Sequence, residues 1–331
     1  MTLLAEQFMA CRTPADFYRL QILAECDAVP TDIAAMFRHR DMLPGEAVAW
    51  LGNVRKMMFA QATTVQPFRR QQISGNVALY TTRREPDEPR DLLVACCGLA
   101  DRLQIPIPAV LQHLDGKRFD VLLLRDPSKR IYLQGVPEYA ADLGQVVERI
   151  RQDIDLAGYR SIRSIGTSGG GWAAFTVGAM LGADRAISMS GKPPGATFRL
   201  AQMWEKRGYS LDDQNADFSV FERFFDRIPD RSTRLLAIFG ADYQIDREGA
   251  EAFEQLVGAV GIGFRGVDDH NLMFEILKKR LLATFFDRFL TGDLDEIVPP
   301  QGGRLLDFDS LRPPPAPLDP GAAGRPALNA D

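Results

Sequence analysis

Histidine is scarce in this chain: His39, His113 and His270 are the only three in 331 residues. A histidine-rich metal centre is therefore not expected. The four cysteines (Cys11, Cys26, Cys96 and Cys97) show no C-x-x-C spacing, and Cys96-Cys97 lies inside an apolar run, so all four read as reduced thiols. Excess positive charge is also missing. Lys and Arg total 39 against 44 Asp and Glu, a formal charge of −5, which offers no electrostatic footprint for nucleic acid or an anionic membrane surface. No apolar run reaches the roughly 18–20 residues that cross a bilayer, so no membrane span is expected. The opening "MTLLAEQFMACRTP" places Glu6 early and has no basic leading segment, so a secretory signal is not expected and the chain reads as cytoplasmic.

What remains is an ordinary globular composition, 46% hydrophobic and 25% charged. Residues 1–72 read as a helical N-terminal extension. In "TPADFYRLQILAECDAV", Thr13 is the expected N-cap, Pro14 the first helical residue and Asp16 the partner three residues after the cap. "GEAVAWLGNVRKMMFAQ" suggests a second helix. These helices carry no evident chemistry. They are read as packing on the main domain, with a protein partner docking through them as the sharper alternative.

Over 73–297 strands alternate with helices. The expected strands are "NVALYTT", "DLLVACCG", "FDVLLLRD", "YRSIRSIG", "RAISMSG", "TRLLAIFG" and "GIGFRGV". The expected helices include "EYAADLGQVVERIRQDI", "GWAAFTVGAMLG" and "LMFEILKKRLLATFFDRFL". Apolar runs separated by helices predict an α/β fold, a mostly parallel central sheet with helices on both faces. Residues 192–232 are too long for a plain crossover and read as a cap insertion or a structural helix pair. The Pro/Gly-rich tail, 298–331, offers little to bury.

The chemistry concentrates in "SIRSIGTSGGGWAAF", residues 161–175. Gly166-Thr167-Ser168-Gly169-Gly170 is G-x-S-x-G, with a strand before it and a helix after it. A serine at the tip of so sharp a turn has a strained backbone. Side chains two positions to either side would strike the neighbouring strand and helix, so Gly166 and Gly170 are the elbow glycines. The helix N-terminus favours negative charge developing there. A phosphate-binding loop is the rival, but the Lys-Ser/Thr ending of a P-loop and the G-x-G-x-x-G of a dinucleotide fold are both missing.

On these residues, over roughly 75–292, the chain resembles the α/β-hydrolase superfamily. That resemblance implies a catalytic serine, acid and histidine in that chain order. Ser168 is then the nucleophile, and His270, the one histidine after it, is the base. His39 and His113 read as solvated. The acid follows the strand "RLLAIFG". Asp242 is preferred for its place beyond Gly240 and its Gly-x-Asp pattern. Asp246 is the alternative, otherwise read as a helix N-cap. Asp268 and Asp269 lie awkwardly near the histidine. The resemblance also implies an oxyanion hole from the backbone N–H groups of Gly169 and Leu99, with Gly98 making the tight turn.

The expected activity is serine-dependent hydrolysis of an ester or thioester through an acyl-enzyme, with no cofactor and no metal. A fainter resemblance, through "DPSKRIYLQG" and "GTSGGGWAAF", is to bacterial hydrolase-like proteins associated with surface polysaccharides. It implies an O-acyltransferase or deacetylase acting on a polysaccharide or glycoconjugate. A catalytically silent scaffold is the third alternative.

Overall fold

The computed structural model describes residues 3–83, 89–194, 225, 232–297 and 305–312. The proposed cap, 192–232, and the tail, 298–331, lie largely outside these residues. Four helices come first: α1 (Leu3–Ala10), α2 (Pro14–Asp27), α3 (Pro30–Arg38) and α4 (Gly45–Met58). Thr13 caps α2 reciprocally: its hydroxyl accepts from the Asp16 N–H, and the Asp16 carboxylate accepts from the Thr13 N–H, each at 3.1 Å.

Nine strands follow among the described residues: β1 (Arg69–Ser74), β2 (Val77–Thr81), β3 (Arg90–Cys96), β4 (Phe119–Leu124), β5 (Tyr159–Thr167), β6 (Arg185–Met189), β7 (Arg234–Gly240), β8 (Val260–Phe264) and β9 (Leu305–Leu306). They form one sheet in the order β1-β2-β4-β3-β5-β6-β7-β8-β9. Every pair from β4 through β9 is parallel; β1 and β2 are antiparallel. Between and after these strands lie α5 (Ile107–His113), α6 (Leu143–Asp153), α7 (Gly171–Leu181), α8 (Gln244–Val257), α9 (Leu272–Lys278), α10 (Leu282–Phe286) and α11 (Leu294–Ile297).

The strands read as continuous apolar runs because both faces of the sheet are covered. Along β3 the period of two sends Leu93 and Ala95 into one core, with Phe8, Ile33 and Trp50 of the N-terminal helices and Phe285 of α10. Leu92, Val94 and Cys96 face the opposite core, with Val146 of α6, Phe175 of α7 and Phe253 of α8. The N-terminal helices are thus part of a layer. They share the core beneath the sheet with α5, α9 and α10.

Three departures from the sequence reading have physical causes. Strand β1, "RRQQIS", was not expected: it is a polar edge strand, largely solvent-exposed, with no apolar alternation to reveal it. Helix α6 begins at Leu143, where Asp142 accepts from the Gln145 N–H at 2.8 Å, so "EYAA" belongs to the preceding loop. The long helix expected over 272–290 is broken. The buried pairs Leu272-Met273, Ile276-Leu277, Leu281-Leu282, Phe285-Phe286 and Phe289-Leu290 recur every four residues except for one step of five. The break falls in that step, at Arg280, whose φ is 59°. It brings both halves onto the same core.

At the end of the sheet away from the serine, Asp91 is fully buried and joined by three guanidiniums: Arg118 (2.9 Å), Arg160 (2.8 Å) and Arg163 (2.8 Å). Burial pushes its pKa up, but the hydrogen bonds from Arg160 and Arg118 and the charge of Arg163 outweigh it and hold the carboxyl below its ordinary value.

His113 is not solvated, contrary to expectation: it is buried in α5, where every residue is covered. Its Nε2 lies 2.8 Å from the Met57 carbonyl, which can only accept, so Nε2 carries the proton. Burial pushes its pKa down despite that bond. The unfolded chain then takes up a second imidazole proton below about pH 6.5 while the native ring stays neutral. Stability is complete above that pH and is lost as pH falls through the folded value. His113→Gln keeps a donor but cannot titrate. Unfolding free energies from urea titrations between pH 7.5 and 5.5 should fall less steeply in that variant, by at most about 1.4 kcal/mol per pH unit. Equal slopes would refute this role for His113.

Candidate active site

The site stands at the C-terminal ends of β5, β7 and β8. The sheet's central strand, β5, runs into Ser168 and a single 3₁₀ turn, Ser168–Gly170, before α7. Ser168 has φ 51°, the left-handed region that an L-residue enters only under tertiary constraint. A Cβ at Gly166 would strike the carbonyl of Gly170. A Cβ at Gly170 would strike the Cys96 carbonyl and lie 2.6 Å from that of Cys97. Backbone cannot swing aside as a side chain can. Gly170→Val should therefore cost at least about 2–3 kcal/mol, seen as a fall of roughly 3–4 °C or more in Tm. A melt like that of the parent protein would mean that the elbow is not this tight.

His270 occupies the loop between β8 and α9. Its Nε2 is 2.9 Å from Ser168 Oγ, and its Nδ1 is 2.8 Å from Asp246 Oδ1. A carboxylate only accepts, so the proton of the neutral ring is assigned to Nδ1, leaving Nε2 free to accept from the serine hydroxyl. Ser168 and His270 are partly exposed, whereas Asp246 is fully buried. Its second oxygen, Oδ2, is buried without a hydrogen-bond partner among the described residues. The Tyr243 ring flanks the imidazole, centroid to centroid 6.2 Å.

The preference for Asp242 is corrected by this geometry. Asp242 is exposed, and its Oδ2 accepts from the Gly266 N–H at 2.7 Å, tying the end of β7 to the turn after β8. Asp246 is not the cap of α8 either. The helix starts at Gln244 with Tyr243 at the cap position and no side-chain cap bond, leaving Asp246 in the first turn. One helical turn carries the carboxylate from the strand end to the imidazole. There the helix N-terminus also favours its charge.

Gly98 and Leu99 follow β3 and lie against the elbow. A Cβ built on Gly98 would be 3.4 Å from Ser168 Cβ, and one on Gly169 would be 3.5 Å from Leu99 Cδ2. Gly169 and the Leu99 side chain are thus neighbours.

Two supporting segments contain none of the site residues assigned from the sequence. The loop after β4 holds Ile131 and Tyr132 at φ 50° and 64° and brings Ile131 beside Gly169. The Ile131 carbonyl accepts from Trp172 Nε1 at 2.6 Å. Burial pushes the Tyr132 phenol well above its ordinary pKa, so it stays a donor; its hydroxyl points at the Leu124 carbonyl (2.7 Å) and the Cys97 carbonyl (3.0 Å). In the same region Lys129 pairs with Asp101. The second segment is Gln104, whose side chain reaches the His270 loop. The first lies in "DPSKRIYLQG", whose resemblance gave none of its residues a role, and the second carries no motif. Left-handed non-glycine residues leave no compositional trace, and a single glutamine in a loop is indistinguishable from a solvated one.

Neither a family model nor a curated protein sequence matches this chain. Solved structures do. The acylaminoacyl peptidase of Pyrococcus horikoshii is similar at 12% identity and a TM-score of 0.47, over 68% of this chain and 42% of that one. The chain thus spans less than half of the peptidase's length. The hyperthermophilic esterase of the archaeon Pyrobaculum calidifontis is similar at 15% identity and 0.48, over 72% and 89%. The capsule O-acetyltransferase of Neisseria meningitidis serogroup A is similar at 12% and 0.46, over 66% and 95%. The chain's own mostly parallel sheet, covered on both faces and carrying a strand–serine–helix turn, is the α/β fold class expected from its sequence.

Proposed function

We propose that this protein is a serine hydrolase that cleaves an ester or thioester through an acyl-enzyme at Ser168. The observation that carries the reading is the unbroken chain Ser168 Oγ–His270 Nε2 and His270 Nδ1–Asp246 Oδ1, at 2.9 and 2.8 Å. Both distances lie within proton-transfer reach.

Ser168 Oγ attacks the acyl carbonyl as its proton passes to His270 Nε2. Asp246 orients the ring through Nδ1–H and stabilises the imidazolium by charge, in a site where burial strengthens the interaction. The backbone N–H groups of Gly169 and Leu99 are assigned to the oxyanion. Collapse of the tetrahedral species releases the alcohol or thiol, which takes the proton back from His270. A water molecule then repeats the sequence on the acyl-enzyme and frees the acid. Transfer to a sugar hydroxyl would share every step up to that last acceptor. Localisation in the cytoplasm and docking of a protein partner on the N-terminal helices remain part of the proposal. Among the described residues no helix is long and apolar enough to cross a membrane.

Reaction with a fluorophosphonate tests the serine directly. The folded protein should gain the mass of one phosphonyl group, and peptide mapping should locate it on Ser168. A folded protein that gains no such mass refutes the proposal.

A further inference from the structure

We infer that Gln104 is a positioning residue, a clamp that sets the reach between His270 and Ser168; this rests on the serine-hydrolase reading above. Gln104 follows β3 in the same loop as Leu99, at φ 63°, between Leu103 and Ile105, which bridge to each other. Both ends of its carboxamide are used. Nε2 donates to the His270 carbonyl at 2.6 Å, and Oε1 accepts from the Met273 N–H at 2.9 Å. The second bond satisfies one of the free N–H groups in the first turn of α9. One side chain thereby holds the backbone of the histidine and the start of the helix that follows it.

The other end of that loop is anchored as firmly. The Arg102 carbonyl accepts from the Gly98 N–H at 3.1 Å, closing the turn that lies against Ser168. The Arg102 guanidinium pairs with Glu25 of α2, which is buried and also accepts from Trp50 Nε1 of α4 at 3.0 Å. A continuous set of bonds therefore runs from the N-terminal helices through Arg102 to Gln104 and on to His270. The loop carrying one assigned oxyanion donor also locates the assigned base. A displacement of either by about 1 Å lowers rates by up to about a hundredfold, which makes a shared anchor consequential.

The test uses two variants with different losses. Gln104→Glu keeps the acceptor for Met273 N–H but sets a carboxylate oxygen against the His270 carbonyl. Gln104→Met keeps the length and loses both bonds. In full-length protein, each should slow fluorophosphonate labelling of Ser168 by about ten- to a hundredfold. With p-nitrophenyl acetate as the probe ester, the loss should fall on kcat, with KM changing less than about threefold. A second readout needs no activity. With three histidines in the chain, the imidazole resonances can be assigned by His270→Gln. The Gln104 variants should move the signal of His270 and leave those of His39 and His113 in place.

A merely structural glutamine would lower Tm and leave both kinetics and resonances unchanged in the folded variant. Unchanged labelling and an unmoved His270 signal in either folded variant would overturn the inference while leaving the hydrolase reading intact. A wild-type protein that does not label would overturn both, even if the His270 signal still responded to position 104.

Discussion

Ser168→Ala should reduce ester turnover by a factor on the order of 10³–10⁶ and remove fluorophosphonate labelling. Its melting temperature should stay close to that of the parent. The substitution deletes one oxygen from a partly exposed side chain whose one side-chain bond among the described residues is to His270. Alanine also bears the strain at φ 51° no worse than serine does. The residual rate would reflect binding and the backbone donors at Gly169 and Leu99, which the substitution leaves in place. Turnover of p-nitrophenyl acetate at saturating ester, with circular dichroism to show an unchanged fold, measures the effect. A folded Ser168→Ala variant that hydrolyses the ester at the parental rate would place the reaction elsewhere.

Asp246→Asn and Asp242→Asn should separate sharply, although the two residues stand four apart on the same connection. Asp246 receives Nδ1–H of His270 inside a fully buried site. Its amide replacement presents either a neutral oxygen or an NH₂ that competes as a donor and favours the other tautomer, with Nε2 protonated and unable to accept from Ser168. By analogy with triads in general, turnover should fall by roughly two to four orders of magnitude. Asp242 is exposed and accepts one backbone N–H, from Gly266. Asparagine keeps an oxygen for that bond, so Asp242→Asn should retain turnover within about threefold and stability within about 1 kcal/mol. Initial rates of the two purified variants decide the matter. A crippled Asp242→Asn beside a nearly normal Asp246→Asn would reverse the assignment of the acid and leave Ser168 and His270 standing.

The two residues look alike in the sequence for a reason that bears on the whole site. An aspartate beyond a strand-ending glycine is where a carboxylate at the sheet's crest is expected, and Asp242 fits that description. The chain, however, makes a turn at 241–242 before α8 begins, and that turn points Asp242 toward Gly266 and solvent. Asp246, one helical turn later, falls on the side facing His270. Which of the two is buried depends on how α8 packs over β7 and β8, a relation between segments that a reading of either one alone does not contain.

What the sequence by itself determined is the set of features generated locally. The apolar runs that made β2 through β8 legible lie where the sheet is covered on both faces, so their central positions select apolar or small residues, while charged residues such as Asp91 and Arg160 collect toward one end. Thr13, Pro14 and Asp16 announced the start of α2 because a cap is built within four residues. The elbow was readable because its steric conditions fall on Gly166 and Gly170, immediately around Ser168. Only the tertiary structure decided the features set by distant partners. The polar edge strand β1 exists because β2 offers it a partner, and His113 is buried because Met57 and the N-terminal helices cover α5. Asp246 meets His270 across 24 residues, and Gln104 meets the same loop across 166. A hydrogen bond between segments so far apart imposes no spacing and no periodicity on the chain. It requires only that one side chain of suitable length stand at the right place, and that place is defined by the packing of the sheet.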